Sequence, residues 1–134
     1  MLTRSEDETI AYGEKLAREL PARGVVLLIG NLGAGKTALA KGIAKGLGAA
    51  DPDQVSSPTF TLIHEYSPRL VHIDLYRLDE EREVESLGLD EIFDKDALVL
   101  IEGGEKFPRL MPADRIEIRL ESMPDDTRRI TISQ

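Results

Sequence analysis

VVLLIGNLGAGKTALAKGIAKGLG, Val25 to Gly48, decides how this chain folds. Its first five residues form an unbroken apolar run, the pattern of a strand buried on both faces. From Ala38 the apolar residues Leu39, Ile43 and Leu47 recur four apart, as on one face of a helix, and Gly46 and Gly48 supply its stop. Between strand and helix lies GNLGAGKT, Gly30 to Thr37, which is Gly, any four residues, Gly, Lys, Thr. That order predicts a phosphate-binding P-loop. Gly33 and Gly35 leave room for successive backbone N–H groups to turn toward phosphate oxygens, and Gly30 permits a sharp exit from the strand. Lys36 brings a cation to the outer phosphates, Thr37 a hydroxyl to magnesium, and the helix points its positive end at the anion. The expected nucleotide contacts are therefore Asn31, Leu32, Gly33, Ala34, Gly35, Lys36, Thr37 and Ala38.

Working outward, Ser5 and Glu8 have capping-box spacing, and Ile10, Leu16, Ala17 and Leu20 predict a helix that ends before Pro21 and covers the sheet edge. Tyr12 on that helix suits packing better than contact with a nucleotide base. After a polar loop, Thr59 to Tyr66 reads as a strand, and Ser67 to Arg69 leave room for an antiparallel hairpin into Leu70 to Ile73. Asp74 then emerges on the P-loop edge if this second strand runs parallel to the first, at the edge where open α/β sheets bind ligands. A helical stretch spans Glu80 to Leu87, and a short amphipathic turn holds Leu89, Ile92 and Phe93. Ala97 to Ile101 is another apolar strand, ending in Glu102 and followed by Gly103 and Gly104. Ile116, Ile118 and Leu120, and then Ile130 and Ile132, alternate with polar residues as in a β-hairpin. The fold class expected is α/β: one P-loop NTPase-type domain over residues 1–134, with a mixed, mainly parallel central sheet, flanking helices and a C-terminal hairpin.

Composition narrows the function. The 134 residues carry a net charge of -8 and no cysteine. Nucleic-acid binding is driven by Lys and Arg against phosphate, so strong tRNA binding by the chain alone is not expected. With no disulfide framework, no long apolar run and an acidic, polar N-terminus, the expectation is a cytoplasmic protein without a membrane segment. From Asp79 to Asp96, nine acids face only Arg82 and Lys95. This reads first as a solvated helical face, with a docking surface for a basic partner as the alternative.

A nucleotide hydrolase needs acids to orient magnesium and the attacking water. Asp74 and Glu102 each close an apolar strand, and both qualify. Asp74 at the magnesium with Glu102 at its waters or the nucleophile satisfies the sequence, and so does the swap. His72 shares a strand face with Asp74 and suits a hydrogen-bonded structural role better than that of a general base. His64 reads the same way, and two histidines without a third ligand make no zinc site.

SSPTFTLIHEY (Ser56 to Tyr66), HIDLYRL (His72 to Leu78) and LVLIEGGEK (Leu98 to Lys106), downstream of GNLGAGKT, together resemble the bacterial TsaE family, formerly YjeE. The resemblance runs in order from Val25 to Arg128. It implies a small ATPase using ATP and Mg²⁺, needed for making threonylcarbamoyladenosine in tRNA, which acts on the TsaB and TsaD proteins and does not itself modify tRNA. Lys36, Asp74 and Glu102 then take catalytic positions, and Thr37, Glu102 and Asp74 the metal. Ser57, Pro58 and Thr59 match a switch-like loop near the terminal phosphate. Tyr76 and Arg77 match the pattern that holds Asp74, and Arg77 suits either transition-state charge or an ion pair. Two departures stand out: Gly103 and Gly104 replace the usual Trp and Pro, and Asn31 replaces a common Asp. Rival classes are a small P-loop kinase, a nucleotide-dependent assembly factor without significant hydrolysis, and a Ras-like switch. The last lacks NKxD and DxxG.

Overall fold

The computed structural model describes residues 1–31, 33–56 and 62–134. Leu32 and the expected switch residues Ser57, Pro58 and Thr59 lie outside the described residues, as does the start of the strand expected from Thr59. The elements are β1 (Leu2–Thr3), α1 (Glu6–Leu16), β2 (Gly24–Ile29), α2 (Lys36–Gly46), β3 (Ile63–Ser67), β4 (Leu70–Asp74), α3 (Glu81–Glu85), α4 (Leu89–Phe93), β5 (Leu98–Glu102), β6 (Ile116–Ser122) and β7 (Arg128–Ser133). Short 3-10 turns lie at Pro52–Gln54, Gly104–Lys106 and Pro108–Leu110.

The strands form one seven-stranded sheet in the order β1-β7-β6-β2-β5-β4-β3. Its centre is parallel, with β2 between β5 and β6 and with β4 beyond β5. Both margins are antiparallel: β3 folds back on β4, and β7 on β6. The mixed α/β sheet and both hairpins agree with the sequence reading. The sequence carries no visible signal for β1, a two-residue strand that pairs with β7.

Side-chain parity divides the core. Val26, Leu28, Leu70, Leu98, Leu100, Ile118 and Leu120 pack on one side of the sheet with Leu39 and Ile43 of α2. Val25, Leu27, Val71, Ile73, Val99 and Ile101 pack on the other with Val84 of α3, Leu89 and Ile92 of α4, Phe107 and Met111. Because successive strand residues face opposite ways, His72, Asp74 and Glu102 share the α2 side. This parity is what brings the acids to the phosphate loop.

Helix α1 departs from the expectation that it covers the sheet edge: it lies mainly against α2. The reason is glycine. A Cβ on Gly42 would stand 2.0 Å from the Ile10 carbonyl oxygen, one on Gly13 2.6 Å from that of Leu39, and one on Gly46 2.5 Å from that of Glu14. The two helix backbones therefore meet directly, and Leu16 and Ala17 at the end of α1 still reach the core. Ser5 Oγ accepts from the Glu8 N–H at 3.1 Å, the expected cap. Helix α2 ends as Gly48 foretells: Gly48 is left-handed (φ 67°), its N–H bonds the Lys45 carbonyl at 3.0 Å, and that of Ala49 bonds Ala44 at 2.9 Å. Gly46, also expected to supply the stop, is still helical and serves the contact with α1. Most side chains of the acidic stretch, Glu80, Glu83, Glu85, Asp90 and Glu91 among them, are exposed, as a solvated face requires.

The two kinds of glycine predict different costs. Gly42→Ala forces a methyl into backbone and is expected to destabilise by about 3 kcal/mol or more. Gly48→Ala has open space and meets only the left-handed torsion penalty, about 1–2 kcal/mol. Urea unfolding of the two variants beside the parent measures the difference.

Candidate functional site

The P-loop follows β2 at the centre of the sheet. Gly33 (φ 83°) and Gly35 (φ 104°) are both left-handed. Among the described residues, its chain neighbours aside, no atom lies within 4 Å of where a Gly33 Cβ would stand. Gly35 is the N-cap of the 11-residue helix α2 and offers no side chain to its first N–H groups. Those donors and the helix dipole are thus available to an anion. Gly30 has a different reason from the turn expected of it. A Cβ there would lie 2.6 Å from the Leu120 carbonyl oxygen, so the residue is small because β6 passes against the loop.

Lys36 is 9 % exposed. Its ammonium donates to the Gly30 carbonyl oxygen and stands 3.5 Å from both the Asn31 carbonyl oxygen and the Tyr76 hydroxyl. It also lies 4.7 Å from the centre of the Tyr76 ring, within cation–π range. A positive charge is thereby held inside the loop by carbonyl dipoles and a ring face.

Asp74 and Glu102 are directly paired in the β4–β5 register, as Leu28 and Glu102 are between β2 and β5. Each acid is 3 % exposed, and both line the cleft in front of the loop. Asp74 Oδ1 also accepts the Tyr76 N–H at 2.9 Å, so this carboxylate fixes the turn after β4 as well as facing the cleft. Glu102 Oε2 accepts from His72 Nε2 at 2.6 Å, in agreement with a hydrogen-bonded histidine at that position. His64 lies 4.8 Å from the Tyr66 ring, and Tyr12 packs against the core. Arg77 is exposed.

The cleft has a volume of about 1240 Å³. Gly30, Asn31, Gly33, Gly35, Lys36, Thr37, Ala38, Asp74 and Glu102 line it, which gathers every expected site residue in the described part of the chain except Ala34. Ala34 is buried in the core instead, at 1 % exposure. Its place in the loop is structural, and any contact it makes runs through its backbone.

Sequence reasoning missed the far wall. Arg4, Arg119, Arg128, Glu105 and Lys106 also line the cleft. Arg128 bonds Ser122 Oγ at 3.0 Å and the Asp126 carbonyl oxygen at 3.1 Å, and its Nε stands 3.8 Å from where a Gly35 Cβ would be. Its position depends on β6 lying beside β2, a pairing that no local pattern announces. Tyr76 links the two walls, since its hydroxyl donates to Glu105 Oε2 at 3.0 Å. Burial, then Glu105, and then the more distant Glu102 and Asp74 push its phenol well above the ordinary tyrosine range.

Among the described residues no three His, Cys, Asp or Glu side chains gather as a metal cage. Magnesium is usually held by one or two protein oxygens together with phosphates and water. Thr37, Asp74 and Glu102 supply oxygens of that kind, and the left-handed loop at Gly33 and Gly35 fits a polyphosphate. Among the described residues no helix is long and apolar enough to cross a membrane.

Residues 3–130 match the family model for the threonylcarbamoyl adenosine biosynthesis protein TsaE. The tRNA threonylcarbamoyladenosine biosynthesis protein TsaE of Bacillus subtilis is 39 % identical, over 98 % of this chain and 82 % of its own length. That of Treponema pallidum is 36 % identical over 98 % of both. The crystal structure of Bacillus subtilis YdiB superposes with a TM-score of 0.79 at 34 % identity, covering 98 % of this chain and 82 % of YdiB.

The Tyr76 environment predicts a pH dependence. Folding strengthens the hold of the phenol on its proton, so the linked stabilisation is complete below the ordinary tyrosine value near 10 and is lost as pH rises above it. Tyr76→Phe should flatten part of the fall in urea midpoint as pH rises above about 10. It should also remove one late-ionising tyrosine from an ultraviolet titration.

Proposed function

The chain belongs to the TsaE family, and on that premise we propose that it binds ATP with Mg²⁺, hydrolyses it slowly, and acts on the TsaB–TsaD complex. One observation carries the nucleotide part of this reading. Lys36 and Thr37 open α2 beside the ends of two parallel strands whose acids, Asp74 and Glu102, are in register and line the same cleft.

Each residue has a task in this reading. The backbone N–H groups from Gly33 to Ala38 bind the phosphates, and Lys36 exchanges the Gly30 carbonyl for terminal phosphate oxygens, a stronger, charge-assisted partner. Thr37, Asp74 and Glu102 hold magnesium directly or through its waters. Magnesium supplies neutralisation of phosphate charge when it is bound with the nucleotide. In this reading Glu102, at the end of β5, also orients a water.

The partners and the tRNA role come from the family. The family names concern threonylcarbamoyladenosine biosynthesis. A net charge of -8 supports a division of labour in which the partners contact the tRNA phosphates and this chain supplies a nucleotide cycle.

ATP turnover by the purified chain, alone and with TsaB and TsaD, tests the proposal. Partners should stimulate phosphate release, and Lys36→Ala or Glu102→Ala should lower it by about a hundredfold. Tight, salt-sensitive tRNA binding by the isolated chain would contradict the division of labour. ATP binding without hydrolysis under any condition would replace the ATPase with a nucleotide-dependent assembly factor.

A further inference from the structure

His72 is completely buried in β4, on the face of the sheet that carries Leu70, Leu98 and Leu100, and is paired in register with Leu100 of β5 and His64 of β3. An imidazole in an apolar layer costs free energy unless a partner offsets its lost hydration. Its partner is Glu102 Oε2 at 2.6 Å, and among the described residues its Nδ1 has none. The ring thus directs its polarity at one target, an acid of the cleft. A carboxylate only accepts, so Nε2 carries the hydrogen.

Register explains the contact. His72 pairs with Leu100, one side-chain pair behind the Asp74–Glu102 pair, so the imidazole lies behind Glu102 on the same face. The Tyr66 ring backs it, with centres 6.2 Å apart, and the Tyr66 hydroxyl is itself fixed on the Ser56 carbonyl oxygen at 3.1 Å. Glu102 is therefore held through Oε2 by a buried imidazole, while the residue itself lines the cleft.

We propose that His72 is a positioning residue that fixes the Glu102 carboxylate for magnesium or its waters. This rests on the nucleotide reading of the cleft above. A group that orients a metal-binding carboxylate typically changes metal affinity or activity by about ten- to a hundredfold when it is lost, without touching the ligand itself. A histidine kept only for packing has no such effect.

The experiment compares wild type, His72→Leu and His72→Gln, with thermal melting as a check on folding. Magnesium is titrated at fixed N-methylanthraniloyl-ATP, and the magnesium midpoint is read from fluorescence, independently of turnover. In His72→Leu the midpoint should rise about tenfold while nucleotide affinity at saturating magnesium stays within about twofold. His72→Gln, whose amide can still donate to Glu102, should recover much of the difference. Where turnover is measurable, kcat should fall in His72→Leu with KM little changed.

In wild type, the Nε2–H resonance of His72 should move when magnesium joins the nucleotide complex, a readout that stands even if His72→Leu fails to fold. An unchanged midpoint in His72→Leu, equal losses in Leu and Gln variants of similar stability, or an imidazole resonance indifferent to magnesium would each overturn the proposal. Wild-type binding that ignores magnesium overturns it too. Magnesium-dependent binding without turnover sinks only the ATPase reading, and the midpoint then still decides the role of His72.

Discussion

Everything at the cleft depends on the parallel, in-register pairing of β2, β5 and β4. Parallel neighbours end at the same edge and keep paired side chains on the same face. One register therefore delivers the loop after β2, Glu102 from β5 and Asp74 from β4 to one place. Slipping β4 by one residue would turn Asp74 toward the apolar layer of α3 and α4 and bring Ile73 into the cleft. The buried rows on both sides, Leu98 and Leu100 on one and Val99 and Ile101 on the other, resist that slip. Core packing and site geometry are the same constraint here.

Much of this was legible because it is local. The apolar runs before Gly30 and Glu102, the glycines of the loop and the alternation in β6 and β7 are signals in themselves, and the ends of the apolar runs assign Asp74 and Glu102 to strand ends. What stayed hidden depends on which edges meet. β1 is too short to show a period. The place of α1 on α2 rests on Gly13, Gly42 and Gly46, whose sequence signal is the absence of a side chain. Gly30 could be read as a turn residue because the Leu120 carbonyl beside it comes from a strand ninety residues away in sequence. Arg128 escaped for the same reason, since only the β6–β2 pairing brings its hairpin to the loop.

Tyr76 shows how a position can serve both parts of the cleft. Its N–H binds Asp74, its hydroxyl binds Glu105, and its ring faces the Lys36 ammonium. The residue thus joins the turn after β4, the turn after β5 and the phosphate loop. Polar contacts of this kind gain strength from burial and lose it together when one member leaves. On the nucleotide reading proposed above, a phosphate that draws Lys36 away from Gly30 would change the electrostatic surroundings of Tyr76, and with them the contact to Glu105.

The glycine pair after Glu102 follows from the same crowding. Gly103 is left-handed (φ 83°), and a Cβ there would lie 2.9 Å from the Tyr76 nitrogen and 3.1 Å from the Leu75 carbonyl carbon. At Gly104 a Cβ would stand 2.9 Å from both Leu27 Cδ2 and Met111 Sδ. At this position, where the resemblance leads one to expect Trp and Pro, backbone of the turn after β5 lies directly against backbone of the turn after β4. Lys106 then ties the two turns, donating to the carbonyl oxygens of Tyr76 at 2.8 Å and Leu78 at 2.7 Å. The Tyr76 N–H on Asp74 and the Lys106 ammonium on the Tyr76 and Leu78 carbonyls thus hold together the two turns that follow the paired acids.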